Sequence, residues 1–120
     1  MQFAVGVIGV GNMGAALVRG IIDRGTVSAQ SVIVCDLDQD LVGRICDDMG
    51  VVDGTEATHV AGSADLVVLA AKPQNLPSLL AEISPSLNAN QTIMSIAAGV
   101  TTQLIEESLG GKPSVIRVMP

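Results

Sequence analysis

Hydrophobic and polar positions along the chain follow two periods in turn. Short apolar runs rich in β-branched residues recur at Phe3 to Ile8, Ser31 to Cys35, Leu66 to Ala70, Thr92 to Ile96 and Ser114 to Val118, and each predicts a buried strand. Helical spacing fills the gaps. Met13, Leu17 and Ile21 recur every fourth position with Ala16 and Gly20 beside them and Arg19, Asp23 and Arg24 opposite, which predicts an amphipathic helix from about Asn12 to Gly25. Leu41, Ile45 and Met49 mark a second helix, stopped by Gly50. Leu76, Leu79, Leu80 and Ile83 stand at i, i+3, i+4 and i+7 of a third. Leu104, Ile105 and Leu109 lie on a fourth, capped by Thr101 or Thr102 and ended at Gly110-Gly111. Between these elements Val51-Val52 predicts a brief strand, and the small, polar stretch Gly54 to Ala64 predicts a short helix. Strands that alternate with helices of this length need crossover connections, so the expected fold is α/β, a doubly wound parallel sheet in one domain over residues 1–120.

Composition sharpens that picture. Charged residues make up 15% of the chain and apolar ones 48%, against a usual charged share of about 25%. Such a chain buries its sheet on both faces, or keeps apolar surface for a partner, with Val115 to Met119 the strip expected to be left uncovered. A net charge of −6 and a single aromatic, Phe3, argue against a nucleic-acid partner, which would need clustered cations and stacking rings. No apolar run nears the roughly 18 residues that span a bilayer, and no basic segment precedes the first one, so no membrane and a cytoplasmic location are expected. Cys35 and Cys46 form no CxxC and are read as reduced structural thiols. His59 has no partner at a catalytic spacing and is read as solvated.

The chemistry is concentrated where strands end. Directly after the first run comes Gly9-Val10-Gly11-Asn12-Met13-Gly14, a GxGxxG spacing between strand and helix. Gly9 allows the tight turn, Gly11 carries no Cβ to hold a pyrophosphate off the backbone, and Gly14 lets helix and strand approach. The unpaired N–H groups and positive end of the helix then face the phosphates, so no basic side chain is required. A dinucleotide is the expected ligand, with methyltransferases that share a similar glycine loop as the rival. Asp36 ends the second strand 22 positions after Gly14, close to the roughly 20 expected of the carboxylate that holds the adenosine ribose. With Asp38 and Asp40 nearby it would repel a 2′-phosphate, which favours NADH over NADPH. Lys72 is the only cation at a central strand end, and Ala70, Ala71, Ala97, Ala98 and Gly99 leave room for a flat ring.

Taken together, GVIGVGNMGAALVRGII, LVVLAAKPQNL, IMSIAAGVT and VIRVMP resemble the amino-terminal part of the pyrroline-5-carboxylate reductase family. The resemblance covers nearly the whole chain. It implies a Rossmann dinucleotide-binding domain, a carboxy-terminal helical domain beyond this chain, a homo-oligomer at full length, and reduction of a small cyclic imine to L-proline with NAD(P)H. It places Ile8 to Met13 at the pyrophosphate, Ala70 to Pro73 beside ribose and nicotinamide, and Ser95 to Ala98 near the ring, with the proton-donating residues beyond Pro120. On that basis the chain alone is expected to bind a dinucleotide without turning over. Two departures stand out. Many members carry hydroxyl or basic residues where this chain has Asp36-Leu37-Asp38, and many have an Asn where it reads GTEAT from Gly54 to Thr58. Other readings are a related NAD(P)-dependent imine or hydroxy-acid reductase and a non-catalytic dinucleotide-binding module.

Overall fold

A computed structural model describes residues 1–118 of the chain. Its elements run β1 (Phe3–Ile8), α1 (Asn12–Asp23), β2 (Val32–Cys35), α2 (Gln39–Met49), β3 (Val52–Asp53), α3 (Ala57–Ser63), β4 (Ala64–Leu69), α4 (Leu76–Ile83), β5 (Thr92–Ser95), α5 (Thr102–Ser108) and β6 (Ser114–Arg117). The six strands form one parallel sheet in the order β3-β2-β1-β4-β5-β6. The chain therefore winds outward from β1 to β3, returns to the centre through α3, and winds outward again to β6. The direction reverses between β1 and β4.

Strand residues alternate between two cores, as a sheet covered on both faces requires. Val7, Val34 and Val68 point to the side packed by α1 and α2, with Val18, Val42 and Ile45. Ile8, Ile33, Val67, Leu69 and Ile93 point to the opposite side, packed by α3, α4 and α5. On that side Gln91 is the one large buried polar residue among those described, at 1% exposure. Its Nε2 donates to the carbonyls of Ala61 (2.5 Å) and Ala64 (2.8 Å), and its Oε1 accepts from the Asn88 N–H at 2.9 Å. It thus fastens the exit of α3 to the entry of β5.

Several expectations shift in detail. The buried stripe of α1 runs through Gly14 and Val18, while Met13 is 49% exposed. Bringing Gly14 against the turn after β1 rotates Met13 outward and leaves Leu17, Ile21 and Ile22 half-buried. On α2 the fully buried pair is Val42 and Ile45, with Leu41 and Met49 half-buried beside it. β2 starts at Val32 because Ala29–Ser31 form a 3-10 turn, and β3 is Val52–Asp53, with Val51 buried ahead of it. β4 starts earlier than the apolar run does, at Ala64. Thr101 is the cap of α5, its hydroxyl accepting from the Leu104 N–H at 3.1 Å. At the β6 edge Ile116 and Val118 are exposed, and Met119 lies outside the described residues. Among the described residues no helix is long and apolar enough to cross a membrane.

Candidate functional site

The turn after β1 is built from close backbone approaches. Gly9 has φ +103°, and its N–H donates to the Cys35 carbonyl at 2.9 Å. A Cβ there would lie 2.7 Å from the backbone carbonyl of Ala70, which in turn sends its N–H to the Ile8 carbonyl at 2.8 Å. Only glycine combines that φ with that neighbour. Gly14, one turn into α1, is equally confined, because a Cβ would fall on the Gly9 carbonyl oxygen. Gly11 is different. It begins α1 without any side-chain cap, and a Cβ on it would meet no protein atom within 4 Å. Packing does not call for glycine at position 11; the space in front of it is open.

Asp36 comes off the end of β2 into the same region. Its Oδ2 accepts from the Val10 N–H at 2.8 Å and its Oδ1 from the Asp38 N–H at 2.9 Å. Asp38 then caps α2, accepting from the Asp40 N–H at 3.0 Å. A carboxylate offers about four acceptor positions, so two of those on Asp36 remain for a ligand.

These parts border a cleft of about 890 Å³ at the carboxyl ends of β1, β2 and β4, where the sheet order reverses. Ile8, Gly9 and Gly11 form its floor, Asp36, Leu37 and Asp38 one wall, and Ala70, Ala71 and Lys72 another. Lys72 is the only basic side chain on the cleft among the described residues, and it shares the cleft with the carboxylates of Asp36, Asp38, Glu56 and Glu82. Across from the glycine turn stands Thr55 with φ +68°, a left-handed conformation uncommon for a β-branched residue. The Asp53 Oδ1, accepting from the Thr55 N–H at 2.8 Å, holds it there.

Cys35 lies beneath the cleft, 3% exposed. Burial pushes its thiol up from 9.0 to about 12, with the negative charges of Asp36, Glu82 and Asp53 adding to the effect. In the unfolded chain the thiol ionises near its ordinary value, whereas in the folded chain it keeps its proton. Above about pH 9 the unfolded state therefore binds fewer protons, and stability falls as pH rises toward 12. Urea midpoints of the parent chain should fall with pH across this window more steeply than those of Cys35→Val. Native Cys35 should also resist alkylation at pH 8.

Other sequence-identified residues do not reach the cleft. Asn12 and Met13 are exposed on the first turn of α1, beside it. Pro73 borders a separate apolar hollow of about 120 Å³ with Leu76, Val100 and Leu104. Ser95 is fully buried, its hydroxyl accepting from the Ala97 N–H at 3.3 Å; Ala97 is buried and Ala98 exposed. Conversely, the cleft includes Leu41, the segment Thr55 to Thr58, and a second stripe of α4. That stripe is Asn75, Ser78, Leu79 and Glu82, again i, i+3, i+4 and i+7, one position behind the core stripe of Leu76, Leu80 and Ile83. Its spacing was the available signal, masked by the mixture of polar and apolar side chains.

A parallel six-stranded sheet with a glycine turn and a strand-end carboxylate meeting at its switch point defines a Rossmann-type α/β domain. The chain belongs to the family described as NADP oxidoreductase, coenzyme F420-dependent, whose model matches residues 4–99. It is 38% identical over 120 residues to the pyrroline-5-carboxylate reductase of Escherichia coli, covering all of this chain and 45% of the relative. Among solved structures, a pyrroline-5-carboxylate reductase from Coxiella burnetii superimposes with a TM-score of 0.92 at 31% identity, over all of this chain and 44% of the other. The Plasmodium falciparum pyrroline carboxylate reductase, solved with NADP bound, superimposes at 0.85 and 25% identity, over all of this chain and 43% of the other. The chain thus spans less than half the length of the relatives it matches.

Proposed function

We propose that residues 1–120 form the dinucleotide-binding domain of an oxidoreductase that reduces 1-pyrroline-5-carboxylate to L-proline with NAD(P)H. The observation that carries this reading is the meeting of the glycine turn and Asp36, joined through the Val10 N–H at 2.8 Å, at the switch point of the sheet. The residues present fit such a group. Open space in front of Gly11 admits a pyrophosphate where a side chain would obstruct it, and the first unpaired N–H groups of α1, from Asn12 onward, supply donors. The two remaining acceptor positions of Asp36 suit a ribose diol. Ile8, Gly9, Ala70 and Ala71 present small or apolar surface to a flat ring, and Lys72 stands at its edge. Enclosed Ser95 acts through the backbone, fixing Ala97 and the exposed Ala98 ahead of α5. Bound NAD(P)H supplies the hydride for the imine carbon; the protein supplies position.

The reading extends to a preference for NADH, which the carboxylates lining the cleft support. A 2′-phosphate would remove one donor to Asp36 and place negative charge against Asp36, Asp38 and Glu56. Even at an effective dielectric of 20, two like charges about 4 Å apart cost roughly 4 kcal/mol before screening, so a preference of about tenfold to a hundredfold is expected. Asp36→Asn keeps an oxygen for the Val10 N–H while removing the charge, and should narrow that ratio by about tenfold. Calorimetric titration with NADH and NADPH measures both. Binding of neither would refute the dinucleotide reading, and tighter binding of NADPH by the unaltered chain would reduce Asp36 to a staple of the glycine turn. Formation of proline from 1-pyrroline-5-carboxylate by the full-length protein tests the reaction.

A further inference from the structure

Every other described residue with positive φ is a glycine; Thr55, at +68°, is the exception. The Glu56 N–H donates to the Gly54 carbonyl at 2.7 Å, which closes a three-residue turn around it. With positive φ at its centre this is the strained hand of that turn, and a β-branched side chain adds to the cost. Both flanks are fixed. Gly54 sends its N–H to the Val34 carbonyl at 2.8 Å and is wedged so closely that a Cβ on it would come within 2.5 Å of the Val60 side chain and 2.9 Å of Ile33. On the other flank α3 begins at Ala57, anchored by the fully buried Val60 and Ala61. Thr55 and Glu56 alone have room for another path, and both line the cleft.

The strained path is held by the exposed carboxylate of Asp53, whose Oδ1 accepts from the Thr55 N–H at 2.8 Å. The cost of such a conformation and the net worth of one exposed hydrogen bond are of the same order, so the turn lies close to balance and the loss of that bond tips it. On the dinucleotide reading, on which this step rests, we infer that Asp53 is a positioning residue for the cofactor. It stands outside the cleft lining and acts by latching the Thr55 turn, and with it the wall that Thr55 and Glu56 form. Without the latch a share of the molecules takes the relaxed path, and affinity falls in proportion to the share that remains competent. The core is untouched, and released strain offsets the lost bond. Binding therefore suffers while stability barely moves.

NADH is titrated calorimetrically into the parent chain, Asp53→Ala, Asp53→Asn, Thr55→Gly and the double variant that joins Asp53→Ala to Thr55→Gly, with melting temperatures measured alongside. Asp53→Ala should bind NADH about three- to tenfold more weakly and melt within about 3 °C of the parent. Loss of the charge alone would strengthen binding of an anionic ligand, so a weakening is the signature of the latch. Asp53→Asn keeps an oxygen for the Thr55 N–H and should bind within about twofold of the parent. Glycine adopts positive φ without help, so in the Thr55→Gly background Asp53→Ala should cost less than about twofold. An equal loss in both backgrounds would overturn the latch, because Asp53 would then act by a route other than the turn. Unchanged affinity in Asp53→Ala would overturn it too, as would a loss in Asp53→Asn as large as in Asp53→Ala, since an oxygen at this position would then not set the turn. A parent chain that fails to bind NADH would overturn the dinucleotide reading and the latch with it.

Discussion

Replacing Gly14 by alanine should be the most damaging single-methyl change in the chain. The added Cβ would fall on the carbonyl oxygen of Gly9, a backbone atom that cannot turn aside as a flexible side chain would. Relief requires α1 to lift away from β1. That shift loosens Val18 from the core beneath it and carries the first turn of the helix out of register with Gly11. A forced overlap of this kind costs about 3–5 kcal/mol, the upper end for overpacking because backbone must move. For a chain of this size the melting temperature should drop by roughly 10 °C or more. Gly11→Ala is the informative control, since its Cβ meets no protein atom. It should leave the melting temperature within a few degrees of the parent and still abolish measurable NADH binding. A Gly14→Ala protein that melts like the parent would show that helix and strand are not in the contact described.

The second large effect is expected at Gln91. Its side chain serves the carbonyls of Ala61 and Ala64 and the N–H of Asn88 from a fully enclosed position. Gln91→Leu keeps the volume and removes the side-chain bonds to all three backbone groups. At about 1–3 kcal/mol for each buried group left unpaired, partly recovered by entering water, the net loss should be about 3–4 kcal/mol. Gln91→Glu should be as harmful or worse, because a carboxylate cannot donate to the two carbonyls and would be buried with its charge. Urea denaturation of the three proteins gives the comparison. A loss under about 1 kcal/mol for Gln91→Leu would mean that water replaces the side chain at little cost.

The strands were legible because a sheet buried on both faces shows up as unbroken apolar runs, and α4 was legible because Leu76, Leu79, Leu80 and Ile83 hold a full helical period. α3 was visible only as a small polar stretch. Seven residues display barely two turns, and the completely buried Val60 and Ala61 do not repeat often enough to reveal a face. The spacing of Met13 from Leu17 predicts an inward side chain, but the close approach of Gly14 to Gly9 decides the rotation of α1, and a contact between two glycines leaves no hydrophobic trace. The site divides the same way. Gly9, Gly11 and Asp36 announce themselves because their spacing along the chain reflects one local βαβ unit. The wall from Thr55 to Thr58 and the outer stripe of α4 reach the cleft only through the strand order, which periodicity does not encode. Ser95 stood at the end of a strand like Asp36, yet its strand places it inside, where its hydroxyl serves the next turn.

The seam between β1 and β4 has a consequence for the order of assembly. Phe3 lies opposite Ala64 and Ile8 opposite Leu69, so the centre of the sheet joins segments roughly sixty residues apart, a long and slow loop to close. Gly9 is confined by the backbone of Ala70, which arrives only with that closure. A nascent chain ending before β4 would already contain the whole glycine motif and Asp36, but Gly9 would lack the neighbour that sets its turn. Competence to hold a ligand therefore emerges late and all at once, and a bound nucleotide would act as a latch on the final pairing rather than a template for the early ones.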